Sequence, residues 1–86
     1  MKAYHVTKDC DTFKAILKEG VIKACRLKYV YLFKDRQDAE IYKQLFKCYH
    51  VFVVEIELKQ IDSQWKPSYA KNGVIKLKQG EVVKLK

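Results

Sequence analysis

The sequence predicts a small α+β domain, a mixed and mainly antiparallel sheet with two helices, in the order β-α-β-α-β-loop-β-β. Three observations predict it. Two segments with apolar residues at helical spacing each follow a short run of β-branched and aromatic residues. In the run over residues 50–58, Phe52, Val54, Ile56 and Leu58 recur at every second position, as the residues on one face of a strand do. The 86 residues include one Pro and three Gly, with no Pro-rich or Gly/Ser-rich stretch to separate two modules, so residues 1–86 read as a single domain.

Residues 2–6 alternate weakly and make the first strand. Asp9 or Asp11 caps the following helix, because a short carboxylate accepts from the free N–H groups of a first turn, and Phe13, Ile16 and Leu17 form its apolar face. Gly20 ends it, since glycine takes the left-handed conformation of a helix terminus at no steric cost. Val21 and Ile22 lead into a connection reaching Lys28, and residues 29–33 have the character of a buried strand. Asp35 caps the second helix, with Ala39, Tyr42, Leu45 and Phe46 on one face. In the third strand Phe52, Val54, Ile56 and Leu58 share one side, while Glu55 and Glu57 share the other. Pro67 holds Lys66 extended, so the polar stretch through Trp65, Pro67 and Tyr69 is expected to be a loop with Trp65 as its anchor. Residues 74–77 and 81–85 then read as two strands joined in a hairpin through Lys78-Gln79-Gly80.

Eighteen Lys/Arg against ten Asp/Glu give a formal charge of +8, which attracts polyanions without naming one. All but Arg26 and Arg36 of these cations are lysines, and their spread along the chain also suits a solvated surface. No apolar run has the roughly 18 residues of a membrane span, and the Met-Lys-Ala start lacks the apolar core of a signal peptide, so no membrane partner and a cytoplasmic location are expected. Cys10, Cys25 and Cys48 are odd in number and widely spaced, which predicts free thiols rather than a disulfide framework. His5, Cys10, Cys48 and His50 have none of the common zinc spacings, so no metal is expected. Glycine-rich phosphate cradles and a serine elbow are absent from the sequence.

The functional pointer is Tyr4-His5-Val6-Thr7 running into a helix, with Tyr31 on a second strand that also feeds a helix. An imidazole and a phenol can thus meet where neighbouring strands end, a usual place for a site. Together with Ile16-Leu17-Lys18-Glu19-Gly20, Val30-Tyr31-Leu32-Phe33, Asp38-Ala39 and Val53-Val54-Glu55-Ile56, this pattern resembles the ADP-ribosyltransferase-like fold family and its RNA 2′-phosphotransferase relatives. The likeness covers roughly residues 3–58, through short motifs in matching order.

The resemblance implies an ADP-ribosyltransferase-like protein that binds NAD or a related ribonucleotide, either transferring ADP-ribose or catalytically degenerate. It implies that His5 hydrogen-bonds a ribose hydroxyl, that Thr7 sets the strand end, and that Tyr31 stacks on the nicotinamide ring. A carboxylate beside the developing positive charge completes the family site, because it stabilises the transition state more than the ground state. Glu81 is the first candidate for that role, since it opens the last strand as the family's glutamate does; Glu55 and Glu57 are alternatives. Each residue also has a plainer explanation: His5 as a satisfied strand-end imidazole, Tyr31 as a core or interface aromatic, Glu81 as a solvated turn residue. The competing function is a small basic, non-enzymatic module that binds nucleic acid or an acidic protein partner.

Overall fold

The computed structural model describes residues 1–23, 30–78 and 80–85. Its elements are β1 (Lys2–Thr7), α1 (Cys10–Glu19), β2 (Val21–Lys23), β3 (Tyr31–Phe33), α2 (Arg36–Leu45), β4 (His50–Glu55), a 3₁₀ turn (Leu58–Gln60), β5 (Ile61–Trp65), β6 (Val74–Leu77) and β7 (Val82–Lys84). Five strands form a sheet in the order β4-β1-β3-β6-β5, and β2 pairs separately with β7. Every strand pairing among the described residues is antiparallel. The chain is a small α+β domain with two helices on an antiparallel sheet.

Alternation along the strands builds a core on each side of this sheet. Ala3, Leu32, Phe52, Val54, Ile75 and Leu77 face one side, where Ile16 of α1 and the β2–β7 pair, through Ile22 and Val83, close over them. Val6, Phe33, Val51 and Val74 face the other, under Ala39 of α2 and Ala70. Each fully buried Leu or Ile contributes about 1.5–3 kcal/mol relative to exposure.

The helix ends follow the sequence signals. The Asp9 carboxylate accepts from the Thr12 N–H at 2.7 Å, and that of Asp35 from the Gln37 N–H at 2.7 Å. Gly20 closes α1 at φ 72°, its N–H donating to the Ile16 carbonyl. Asp38 is buried but satisfied, accepting from the Asn72 backbone N–H at 2.9 Å, which ties α2 to the segment before β6.

Several expectations need correction. The C-terminal hairpin does not form: both edges of β6 are taken, by β3 and β5, so β7 pairs with β2 instead. The expected loop begins as strand β5, although Asp62, Ser63 and Gln64 have low strand preference, because the free edge of β6 supplies its ladder. Trp65 does not anchor that segment; it is exposed, while Pro67 and Ala70 are buried. The strand from His50 ends at Glu55, and the Glu57 N–H donates to the Gln60 side chain at 2.9 Å in the turn that follows, leaving Leu58 79% exposed.

The apolar helix faces are also narrower than the spacing suggested, since Leu17, Leu45 and Phe46 are exposed. Val21 and Ile22, expected in a connection, are strand residues that support β7. Cys25, Arg26, Lys28, Tyr29 and Gln79 lie outside the described residues.

This arrangement predicts opposite outcomes for two leucines. Leu32→Ala removes a fully buried side chain and costs about 2–5 kcal/mol, whereas Leu58→Ala stays within about 0.5 kcal/mol of wild type. Urea denaturation of both variants checks this.

Candidate functional site: a cleft between diverging strands

β1 and β3 are neighbours over a single register pair, Tyr4 with Phe33. Beyond it β3 remains with β6, where the Val30 carbonyl accepts from the Leu77 N–H at 2.8 Å. On the other flank β1 stays fully paired with β4 from Lys2–Glu55 to Thr7–His50. The gap between β1 and β3 is spanned by a side chain: Nδ1 of His5 lies 3.2 Å from the Tyr31 carbonyl oxygen.

A cavity of about 1020 Å³ opens where these strands diverge. One wall comes from the α1 side of the sheet and includes His5, Thr7, Asp9, Thr12 and Glu19. The other comes from the α2 side and includes Tyr31, Phe33, Tyr42, Trp65 and Tyr69. Strand alternation puts the His5 side chain with Ala3, on the α1 side, and the Tyr31 side chain with Phe33, on the α2 side. In a closed sheet these rings would belong to separate surfaces. The opening between the strands lets both line one cavity.

Burial lowers the His5 pKa below its usual value, opposed more weakly by the bond to the Tyr31 carbonyl. The imidazole is therefore neutral at pH 7. A carbonyl only accepts, so the proton belongs on Nδ1, which donates to Tyr31 and leaves Nε2 with its lone pair. His5 thus offers the cavity a hydrogen-bond acceptor. Thr7 is buried, and its hydroxyl donates to the His50 carbonyl at 3.2 Å, fixing the end of β1 against β4.

Tyr31 keeps 46% of its surface exposed. The Tyr42 and Tyr69 phenols are pushed above their usual range, chiefly by burial, and so stay neutral. Asp9 is held below the usual carboxylate range by the Thr12 N–H that it caps.

Glu81 sits before β7, its N–H donating to the Lys78 carbonyl at 3.0 Å, and is not among the cavity-lining residues. Nor are Glu55, which pairs with the N-terminal ammonium at 3.0 Å, and Glu57, which pairs with Lys59 at 3.3 Å. The carboxylates on the wall are Asp9 and Glu19, the latter 3.6 Å from Lys23. Sequence reasoning missed both as site residues. The signal available was the strand-to-helix junction itself, since Asp9 and Thr12 follow Thr7 directly into the first turn of α1.

Trp65 and Tyr69 were also missed, being assigned only to a loop. They are far from Tyr31 in sequence and reach it through β6, so no local pattern could place them. Cys10 and Cys48 are free thiols. Among the described residues no three His, Cys, Asp or Glu side chains gather around a point that could hold a metal, and no helix is long and apolar enough to cross a membrane.

No protein-family model, curated protein or solved structure matches the chain.

The lowered His5 pKa sets a sign for pH dependence. In the unfolded chain His5 titrates near about 6.5, so between that pH and its lower folded value the unfolded state binds more protons. Its contribution to stability is complete above about 6.5 and is lost as pH falls through the folded value. Thermal melts from pH 7.5 to 5 are expected to show a falling midpoint in wild type and a flatter profile in His5→Gln.

Proposed function

We propose that this chain is an ADP-ribosyltransferase-like protein whose cleft binds NAD or a related ribonucleotide. The observation that carries the proposal is the opening between β1 and β3, which lets a hydrogen-bonding imidazole and a half-exposed phenol line one cavity. Its volume of about 1020 Å³ stands at the upper end of small-molecule sites, which suits a ligand as long as a dinucleotide.

Within this proposal each residue has a role set by its chemistry. His5 accepts a ribose hydroxyl at Nε2, its other nitrogen being engaged with Tyr31. Thr7 holds the strand end that aims the imidazole. Tyr31 offers its ring face to the nicotinamide, with the apolar Phe33 and Val74 behind it on the same wall. NAD supplies the glycosidic bond whose cleavage leaves positive charge on the ribose. A carboxylate near that charge favours its development. Glu81 enters the site only if its turn moves toward the cavity, whereas Glu19 and Asp9 already stand on the wall. An arrangement without such a carboxylate binds the nucleotide and does not turn it over.

NAD is expected to raise the thermal midpoint, by about 2.7 kcal/mol of added stability at 100 times its Kd, with the gain lost in His5→Ala and reduced in Tyr31→Ala. An unchanged melt at millimolar NAD contradicts the proposal. If wild type also releases nicotinamide, comparing Glu81→Gln with Glu19→Gln assigns the carboxylate: the variant that loses release while keeping the NAD-dependent shift carries it.

A further inference from the structure

Phe33, Val74 and Trp65 are registered across β3, β6 and β5, with their side chains toward the α2 side. One residue further along, the same three strands carry Lys34, Gly73 and Lys66. Alternation turns this row to the opposite face, the one that holds Gln64 across from Ile75. Two lysines thus flank a position without a side chain. Neighbouring strands are about 4.8 Å apart, so the backbones of Lys34 and Lys66 stand roughly 10 Å from each other across the glycine. A notch of about 220 Å³ lies here, lined by Lys34, Gln64, Trp65, Lys66, Asn72 and Gly73.

The fold holds Lys34 at this notch. Its N–H donates to the Gly73 carbonyl at 3.3 Å, which continues the β3–β6 ladder by one bond. Gly73 has φ 93°, in the left-handed region, and a Cβ there would stand 3.9 Å from Cδ of Lys34, so the lysine stem lies beside the bare glycine. The Lys34 ammonium donates to the Gln64 side-chain oxygen. A lysine only donates, so that amide turns its oxygen to Lys34 and keeps its NH₂ group for another acceptor.

The notch is rich in donors and poor in negative charge. Lys34, Lys66, Gln64 and Asn72 all bring side-chain N–H groups, and among the described residues no carboxylate lines it. Lys34 and Lys66 enter no ion pair among the described residues. Asp35 and Asp38, the carboxylates closest to Lys34 in sequence, accept from the backbone N–H groups of Gln37 and Asn72 at 2.7 and 2.9 Å.

We propose that this notch binds a phosphoryl group, its negative charge set between the ammonium groups of Lys34 and Lys66 and its oxygens accepting from the Gln64 and Asn72 amides. The volume lies below the range of roughly 300–1,000 Å³ usual for larger ligands, which suits a single tetrahedral anion. A lysine meets phosphate as a point charge with rotatable donors, and two of them across one gap match a dianion better than the single charge of a carboxylate. The site stands on its own residues and does not depend on what the cleft takes.

Titration of the ¹⁵N-labelled full chain at pH 7.5 and constant ionic strength with inorganic phosphate, glycerol 3-phosphate and acetate is the test. Saturable shifts are expected at the Gly73 backbone amide and the Gln64 and Asn72 side-chain amides with both phosphates and not with acetate. The tighter of the two distinguishes free phosphate from a phosphate ester as the source. Lys34→Ala and Lys66→Ala should each weaken binding roughly 3- to 10-fold. Lys14→Ala, which removes the same charge from an exposed position on α1, should bind as wild type does.

Lys66 is exposed and belongs to neither core, so its variant keeps the fold. His5→Ala should also bind phosphate as wild type does, which separates this result from the fate of the NAD proposal. Shifts that fail to saturate, an equal response to acetate, a loss in Lys14→Ala as large as in Lys34→Ala and Lys66→Ala, or no response at the notch each overturns the proposal.

Discussion

The hydrogen bond between His5 and the Tyr31 carbonyl governs the site. Where β1 and β3 stop sharing a register, the Tyr31 carbonyl is left without a β1 backbone partner. The imidazole of His5 supplies that partner across 3.2 Å. One side chain thus stabilises a split sheet and presents its second nitrogen to the resulting cavity. Its neutral state follows from the same burial that makes the cavity a distinct environment.

The rest of the fold holds this split in place. β1 is paired with β4 along its whole length. β3 is held to β6 on its other edge, where Tyr31, Leu32 and Phe33 are all registered. Leu32 and Phe33 anchor β3 in opposite cores, and Asp38 joins α2 to the segment that delivers β6. The cleft is therefore bounded by two well-paired strand systems rather than by loops alone. Tyr31, Trp65 and Tyr69 line its α2-side wall.

Local chemistry made much of the fold legible. Asp9, Asp35 and Gly20 act at helix ends by interactions within a few residues, and each does what its residue type predicts. Ala3, Phe52 and Val54 show their burial through simple alternation. Partner choice was not legible in the same way. The sequence of β7 suits pairing with β6 as well as with β2, and only the occupation of both β6 edges decides between them. β5 is a strand because an edge was available, against the preferences of Asp62, Ser63 and Gln64. In the site, His5 and Tyr31 were visible as a pair, but the alternation that separates their side chains and the opening that reunites them are tertiary facts. Glu19 and Asp9 drew attention only as helix-end residues, and their place on the cavity wall appears once α1 is docked.

His5 bridges the diverging strands as a neutral imidazole protonated on Nδ1, with Nε2 open to a ligand. Long-range ¹⁵N–¹H correlation spectra of the imidazole at pH 7 test this most directly. The expected result is a protonated, pyrrole-type Nδ1 and an unprotonated, pyridine-type Nε2 for His5, with the Nε2 signal moving when NAD is added. A charged imidazolium, or the opposite tautomer, would contradict the bond to Tyr31 and the role built on it.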